Sequence, residues 1–279
     1  MSRAVVKRAV SAIQKFYPTK LADKSWDNTG LLVDASTEDA PGSKGDDPLR
    51  VLLTIDLTQS VADEAVKNKT NLIMAYHPFI FKGLKSITPS DPQQKSLIKL
   101  IRNDISVYCP HTAVDSAKGG VNDFLADGIT KGFSEKSREI IQPDKNEEDC
   151  GMGRIVTLSE PASLHSLSEN IKSSLGLNHI QVAVAAGQDK NHQISRIAIC
   201  AGSGGSVFRG VDADLFYTGE LSHHEALYFT ETGSSVVACN HTNTERAFLS
   251  VIKDQLTKEL PEGSEIIISK TDKDPYVTW

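Results

Sequence analysis

Short apolar runs alternate with longer amphipathic segments along most of this chain, and three of the runs end directly in a histidine-containing box. A short apolar run between polar residues is typical of a buried β-strand, whereas apolar residues at helical spacing predict a helix. This alternation predicts an α/β fold, in which helices pack against a mostly parallel or mixed sheet. The boxes begin at Tyr76, His111 and His241, so each lies where a predicted strand ends.

Histidines and acids recur at these strand exits, which are the positions where α/β proteins bind ligands. Asp115 follows His111 by four residues. Glu245 follows His241 by the same interval, which places both side chains on one face if a helix starts there. Together with His77, these residues make three imidazoles and two carboxylates from distant segments. Such a set indicates a metal site with nitrogen and oxygen ligands.

Each box also has a purely structural explanation. Pro78 restricts His77 to extended conformations and ends the strand, so a hydrogen-bonded histidine in a turn would fit as well. Asp115 could cap the loop, and Glu245 could belong to a helix-capping box. His111 could be a ligand or a residue that orients one. The repeated pairing of histidine and acid at strand exits favours a metal site over several independent explanations.

A fourth polar cluster, residues 219–225, follows another apolar run. Within it, Ser222 is a predicted helix N-cap, and Glu220 and His224 flank that cap. Histidines that open a helix can bind metal or carry protons, and a partly exposed helix start is an equal alternative. The glycine-rich stretch at 201–205 could bind an anion through backbone amides, but a tight turn is the favoured interpretation.

The 279 residues are enough for one large or two medium domains, and 39% hydrophobic content predicts a substantial core. A polar, acidic stretch predicts a connection at 133–153 between a first α/β lobe at 1–132 and a second α/β lobe with the C-terminal segment at 154–279. Another polar stretch, at 35–49, predicts a surface loop. The predicted fold class is therefore α/β, with two similar lobes whose mixed sheets are flanked by helices.

A net charge of −6 argues against a general nucleic-acid or membrane-surface binder, which would normally carry a basic excess. No apolar run approaches the roughly 18 residues of a membrane span. The four cysteines are scattered, which favours a reducing compartment. The first 22 residues lack acids, as mitochondrial targeting segments do, but their apolar spacing favours a structural helix. We expect a cytoplasmic protein, with mitochondrion and nucleus left open.

Five motifs occur together in one order along the chain. They are W-D-N-x-G from Trp26, Y-H-P-x-x-F from Tyr76, H-T-x-x-D from His111, T-G-E-x-x-H-H from Thr218 and H-x-N-T-E-R from His241. This ordered set resembles the Ngg-interacting-factor-three family, whose bacterial members are often labelled GTP cyclohydrolase I type 2 homologues. The resemblance implies a two-lobed α/β protein with a dinuclear metal site between the lobes. It also implies ring-shaped hexamers.

The resemblance also implies a ligand set. Carried over by motif, the metal ligands would be His77, Asp115, His241 and Glu245, with the two carboxylates as bridges between two divalent ions. Many members of the family have a second histidine where this chain has Tyr76, and a phenol is a poor ligand near neutral pH because its reference pKa is about 10. This departure weakens the second metal position. Zn, Fe or Mn would suit such mixed ligation.

These features predict a metal-dependent hydrolase of a small substrate, such as a nucleotide or another phosphorylated molecule. The candidates for proton transfer, or for orienting the ligands, are Tyr76, His111, Glu220 and His224. Two alternatives stay open. One is a non-catalytic regulatory or scaffold protein that binds a transcriptional co-activator, as the family name implies. The other is a metal chaperone.

Overall fold

The chain folds into two compact units in a computed structural model that describes residues 1–39 and 45–277. Unit 1 comprises Met1–Val114 and Leu249–Lys273, and unit 2 comprises Asp115–Phe248 and the segment that follows Lys273. The sequence-based division into lobes at 1–132 and 154–279 is a different partition and stays a prediction. Residues 40–44, within the predicted surface loop at 35–49, lie outside the described residues.

Strands and helices alternate along most of the chain. The strands are β1 (Gly30–Val33), β2 (Arg50–Thr54), β3 (Leu72–Ala75), β4 (Ser106–Cys109), β5 (Glu135–Pro143), β6 (Gly151–Ser163), β7 (Gln181–Ala183), β8 (Gln193–Ser203), β9 (Leu215–Glu220), β10 (Ser235–Ala238) and β11 (Glu265–Ile268). The helices are α1 (Arg3–Phe16), α2 (Gln59–Lys67), α3 (Pro92–Arg102), α4 (Thr112–Ser116), α5 (Val121–Ile129), α6 (Leu164–Leu175), α7 (His223–Glu231), α8 (Asn243–Arg246) and α9 (Leu249–Glu259), with a short 3-10 helix at Thr19–Leu21. In the described ranges, no helix combines the length and apolar character needed to cross a bilayer.

Unit 1 contains a five-stranded mixed sheet in the order β1-β4-β3-β2-β11. Strands β2, β3, β4 and β11 run parallel, whereas β1 pairs antiparallel with β4. The side chains of β3 and β4 are buried throughout, as expected where helices cover both faces of a parallel sheet. Because β2, β3 and β4 are parallel neighbours, their carboxyl ends lie at one edge of the sheet.

The helices of unit 1 begin and end where local chemistry favours it. Thr58 caps α2 by accepting a hydrogen bond from the Val61 amide, and Asp91 caps α3 in the same way just before Pro92. The apolar sides of α2 and α3 pack against β2, β3 and β4 in one core cluster. The apolar stripe of α1 is buried as well, as expected for a structural helix.

Unit 2 contains a six-stranded mixed sheet in the order β5-β6-β8-β9-β10-β7. Strands β8, β9 and β10 run parallel, whereas β5, β6 and β7 pair antiparallel with their neighbours. The carboxyl ends of the three parallel strands therefore meet at one edge. The residues that follow there are Gly202 near the end of β8, Glu220 at the end of β9 and His241 after β10.

Two helices of unit 2 have capping residues at their ends. The hydroxyl of Ser163 caps α6, which ends at Gly176 with a φ of 67°, a conformation that glycine adopts without strain. Ser222 and Glu225 form a reciprocal capping box at the start of α7, as the sequence predicted for Ser222. Phe229 of α7 packs against Phe208 and Phe216 in a second core cluster.

The α/β fold class with mixed sheets flanked by helices is confirmed, and three element predictions are wrong. A single helix was expected at 242–259, but the chain forms α8 and α9 separately and passes from unit 2 to unit 1 at Leu249. The polar stretch after residue 133 contains β5, which is an edge strand and therefore tolerates charged side chains. The strand expected at 275–278 is not formed over 275–277, and residue 278 lies outside the described ranges.

Candidate metal centre

His77 is held at the exit of β3 by its own backbone. The amide of Tyr76 donates to the carbonyl of Thr54, and the amide of His77 donates to the carbonyl of Ile55. The parallel pairing of β2 with β3 thus continues two residues beyond the end of β3. The His77 side chain is half-buried. This pairing determines where the imidazole leaves the sheet edge.

A carboxylate from the neighbouring strand exit orients the His77 ring. Oδ1 of Asp56, two residues beyond β2, lies 2.9 Å from Nδ1 of His77. A ring N–H that donates to a carboxylate leaves the other nitrogen, Nε2, as the lone-pair donor. Carboxylate–histidine pairs of this kind position metal-bound histidines and raise their basicity.

His111 has the same arrangement with a more deeply buried acid. Its Nδ1 lies 2.6 Å from Oδ1 of Asp27, whose side chain is only 1% exposed. The Thr112 hydroxyl donates to Oδ2 of Asp27 at 2.6 Å. Burial alone would raise the pKa of Asp27, but the hydrogen bonds from His111 and Thr112 outweigh it and hold the pKa below its usual value. Asp27 is therefore an ionised acid inside unit 1.

Three rings of unit 1 cluster around this sheet edge. The His77 and His111 rings meet edge to face with centroids 5.4 Å apart. The Tyr76 ring lies 5.6 Å from that of His77 and 6.2 Å from that of His111. Tyr76 and His111, both predicted to act in proton transfer or in orienting ligands, are thus neighbours of His77. Their roles stay predictions.

In unit 2, His241 contacts an acid through each of its ring nitrogens. Its Nδ1 lies 2.9 Å from Oε1 of Glu220, and its Nε2 lies 3.4 Å from Oε1 of Glu245. The Glu245 side chain is 3% exposed, whereas that of Glu220 is 55% exposed. The short helix α8 brings Glu245 back beneath His241 over one turn, as the four-residue spacing predicted.

Gly202 leaves open space directly against these two side chains. A Cβ atom at Gly202 would lie 3.0 Å from Oε1 of Glu245 and 3.0 Å from Nε2 of His241. Gly202 has a φ of +64°, which disfavours any other residue. Gly219 in β9 packs as closely, because a Cβ there would lie 2.8 Å from Cα of His241. The backbone of two strands thus approaches His241 without filling the space beside its Nε2.

Asp115 lies at the same end of β8. The Asn122 side chain links the two segments, because its Nδ2 donates to the carbonyl of Asp115 and its Oδ1 accepts from the amide of Ala201. Burial, reinforced by the negative charges of Asp115 and Glu245, raises the pKa of the Cys200 thiol. Burial therefore favours the protonated thiol, and the carboxylates of Asp115 and Glu245 lie close to it.

The chemistry of these donors fits a divalent cation. Within unit 2, His241 and Glu245 each offer one ligand atom that could hold a metal ion. An imidazole and a carboxylate suit borderline metals such as zinc, iron or manganese. His77 of unit 1 stays a predicted ligand. Asp115 stays a predicted fourth ligand, and a second metal stays a prediction.

The remaining two predicted residues differ in their placement. Glu220 contacts His241 and so has the position of an orienting residue. His224, on the first turn of α7, stacks edge to face against His223 and lines a cavity with Arg209 and Tyr228. The proposed participation of His224 in chemistry stays a prediction.

Sequence reasoning did not select three residues that shape the site, namely Asp27, Asp56 and Gly202. Asp56 follows an apolar run, as the histidine boxes do, and this position after a predicted strand could have identified it as a candidate. Asp27 belongs to one of the five motifs but was not assigned a role. Gly202 lies in a stretch that was interpreted as a tight turn.

The chain resembles known proteins along its whole length. Residues 4–275 match the family described as Duf34/NIF3 (NGG1p interacting factor 3). The chain is 46% identical to NGG1-interacting factor 3 of Saccharomyces cerevisiae, over 99% of this chain and 97% of the relative. It is 32% identical to human NIF3-like protein 1, over 97% of this chain and 91% of the relative.

Solved structures of the same kind share the fold. The Bacillus cereus protein related to NIF3 superposes with a TM-score of 0.80 at 21% identity, covering 98% of each chain. Reduced HcgD from Methanocaldococcus jannaschii superposes with a TM-score of 0.75 at 26% identity, covering 95% of this chain and 97% of HcgD. The length of the match and the level of identity leave one conclusion: this chain belongs to the Duf34/NIF3 (NGG1p interacting factor 3) family.

Proposed function

We propose that this protein is a divalent-metal-dependent hydrolase of a small substrate, such as a nucleotide or another phosphorylated molecule. The proposed ligands are His77, Asp115, His241 and Glu245. The observation that carries the proposal is the pair formed by His241 and Glu245, whose Nε2 and Oε1 atoms lie 3.4 Å apart beside the space left by Gly202. A buried carboxylate next to an oriented imidazole is a typical half of a metal site.

The residues around the ligands support this assignment. Asp56 and Glu220 would hold His77 and His241 with Nε2 facing a cation, because each acid contacts Nδ1. A divalent cation bound there would polarise a substrate oxygen and lower the pKa of water. We propose Zn, Fe or Mn as the cation. Two ions per chain would require a ligand set that includes Tyr76, whose phenol binds metal weakly near neutral pH.

Proton transfer is assigned to residues that surround the histidines. His111, held by Asp27, has one ring nitrogen occupied and the other available to exchange a proton with a substrate. Tyr76 is a second candidate because its ring contacts both His77 and His111. Glu220 and His224 are proposed for the same task in unit 2. Each role is tested by the pH dependence of turnover in a variant that keeps its metal.

Metal content and turnover test the proposal together. The protein is purified without chelator, and metals are measured by plasma mass spectrometry for wild type, His241→Ala and the control His179→Ala, whose histidine is exposed. We expect His241→Ala to weaken metal binding by more than about tenfold, since even orienting residues contribute 10- to 100-fold. The control should keep its metal.

Turnover is then measured with p-nitrophenyl phosphate and nucleoside triphosphates, and folding by circular dichroism. Metal-dependent turnover that is lost with the metal in folded His241→Ala supports the hydrolase. A wild type that binds metal but releases no product from any of these substrates contradicts the substrate class. Equal metal content in all three proteins contradicts the ligand assignment.

A non-catalytic role is the second candidate, because the 46% identical yeast relative is named for an interaction with NGG1. In that case the protein would turn over none of these substrates, and the metal would stabilise the fold or an assembly, so that removing it with a chelator would lower the thermal stability. Metal handling would instead show as fast, reversible exchange. The homo-oligomer, a hexameric ring, and the cytoplasmic location also stay predictions.

A further inference from the structure

Strand β7 forms one end of the unit 2 sheet. It pairs antiparallel with β10, and in the described part of the chain it has no strand on its other side. The backbone N–H and C=O groups along that side are therefore available to another extended segment. Edge strands of this kind bind peptides by adding a strand to the sheet.

A groove lies beside this edge, between β7 and α6. Ala183 packs into the core cluster on one face of the sheet, whereas Ile180, Val182 and Val184 line a cavity of about 340 Å³. Leu164 on α6 completes the apolar part of that lining. Val182 is 42% exposed, so α6 leaves this apolar surface uncovered. Pockets for alternate side chains are what an added strand requires.

The rim of the groove is basic in a protein whose net charge is −6. His165, Lys172, His179 and Lys190 line it, against one acid, Glu169. Lys172 is paired with Glu169 at 2.5 Å. Within the described residues, neither the Lys190 ammonium nor the His179 ring makes a hydrogen bond or an ion pair. The groove therefore offers the Lys190 ammonium as a cation to an acidic partner, and the His179 ring can donate a hydrogen bond to it.

We propose that the groove between α6 and β7 binds an extended acidic peptide segment of a partner protein, which adds a strand antiparallel or parallel to β7. Apolar side chains of the segment occupy the surface formed by Ile180, Val182 and Val184, and its acids face Lys190 and the two histidines. A free phosphate would use the cations but not the apolar surface or the open strand edge. This site lies in unit 2 and does not depend on the metal centre.

Fluorescence anisotropy with a labelled peptide of alternating glutamate and valine tests the proposal on the full-length protein. The control peptide carries lysine in place of each glutamate. We expect saturable binding of the acidic peptide alone. Two further acidic peptides are N-methylated at even or at odd positions, and only the pattern that faces β7 should abolish binding. Equal affinities for both methylated peptides, or full competition by inorganic phosphate, would overturn strand addition.

Surface variants locate the site. Lys190→Glu should lower the affinity for the acidic peptide by about tenfold, because it reverses one charge that faces the peptide. Val182→Asp should lower the affinity as well, since it places a charge of the same sign as the peptide on the apolar surface. The matched control is Lys145→Glu, an exposed lysine of unit 2 outside the groove. Equal binding by Lys190→Glu and Lys145→Glu would place the peptide elsewhere and refute the proposal.

Discussion

The two units hold histidines at comparable strand exits but surround them differently. In unit 1, His77 and His111 each contact an aspartate through Nδ1, and these acids orient the rings. In unit 2, His241 contacts Glu220 through Nδ1 and Glu245 through Nε2. Unit 1 thus presents imidazoles, whereas unit 2 presents an imidazole together with a carboxylate on its ligand side.

The two units also differ in the role of their most buried acid. In unit 1 the most buried acid, Asp27, is an orienting residue whose charge is compensated by hydrogen bonds from His111 and Thr112. In unit 2 the buried acid is Glu245, and the orienting residue Glu220 is largely exposed. Burial of a charge is costly unless a partner compensates it. We therefore expect substitution of the buried orienting acid Asp27 in unit 1 to affect mainly stability, and substitution of the exposed orienting acid Glu220 in unit 2 to affect mainly metal binding.

Gly202→Ala should have the largest effect and is the strongest test of this difference. The new methyl group would lie 3.0 Å from both Nε2 of His241 and Oε1 of Glu245. It would occupy the space beside both proposed ligand atoms, so we expect metal affinity to fall by more than about 100-fold, beyond the range of orienting residues. Calorimetric titration with Zn²⁺ or Mn²⁺ measures this fall.

The backbone penalty must be separated from the effect on the ligands. Gly176→Ala is the matched control, because Gly176 has a similar φ of +67° and a Cβ there would meet no atom within 4 Å. Both variants should lose about 1–2 kcal/mol of stability from the left-handed conformation. Only Gly202→Ala should lose metal. A metal affinity that falls equally in both would remove the argument for an open ligand position beside Gly202.

Asp27→Asn should have the next largest effect, on the free energy of unfolding. The change weakens the charge-assisted hydrogen bonds from His111 and Thr112, which we expect to cost about 2 kcal/mol at pH 7. Asp63→Asn is the control, because Asp63 makes a surface ion pair with Lys99. That pair should contribute less than about 1 kcal/mol. Urea denaturation of both variants and of wild type gives the two differences.

The same acid predicts a pH dependence. The pKa of Asp27 is lowered in the folded protein, so its stabilising contribution is complete above its unfolded pKa of about 4. It is lost as the pH falls from there through the lower folded pKa. The stability difference between wild type and Asp27→Asn should therefore shrink below pH 4. A difference that stays constant down to pH 3 would mean that folding does not lower the pKa of Asp27.

The sequence was sufficient for the histidines and for the acids that contact His241, but not for the aspartates that orient His77 and His111. Short apolar runs before His77, His111 and His241 predicted strands, and β3, β4 and β10 occur there because each run is short and flanked by polar residues. The contact between His77 and Asp56 depends on β2 lying beside β3, which is a matter of strand order. Periodicity along a single segment carries no information on strand order.

Two of the wrong element predictions have identifiable physical causes. Strand β5 was missed because an edge strand may keep charged side chains, which remove the apolar signal. The division between α8 and α9 was missed because both have helical spacing, and only the passage of the chain between units separates them. Glu220, in contrast, was selected as an orienting candidate because it follows a predicted strand, and it lies 2.9 Å from His241.

Glu220→Gln should have the smallest effect and would sharpen the comparison most. Glu220 is 55% exposed, so its loss should change stability by no more than about 0.5 kcal/mol. Its contact with Nδ1 of His241 should nevertheless contribute about tenfold to metal affinity, because the acid orients the ring and raises its basicity. Glu160→Gln, an exposed glutamate in β6, is the control for both measurements. If Glu220→Gln destabilised the protein as much as Asp27→Asn and left metal affinity unchanged, then both orienting acids would be structural, and the functional difference between the two units would disappear.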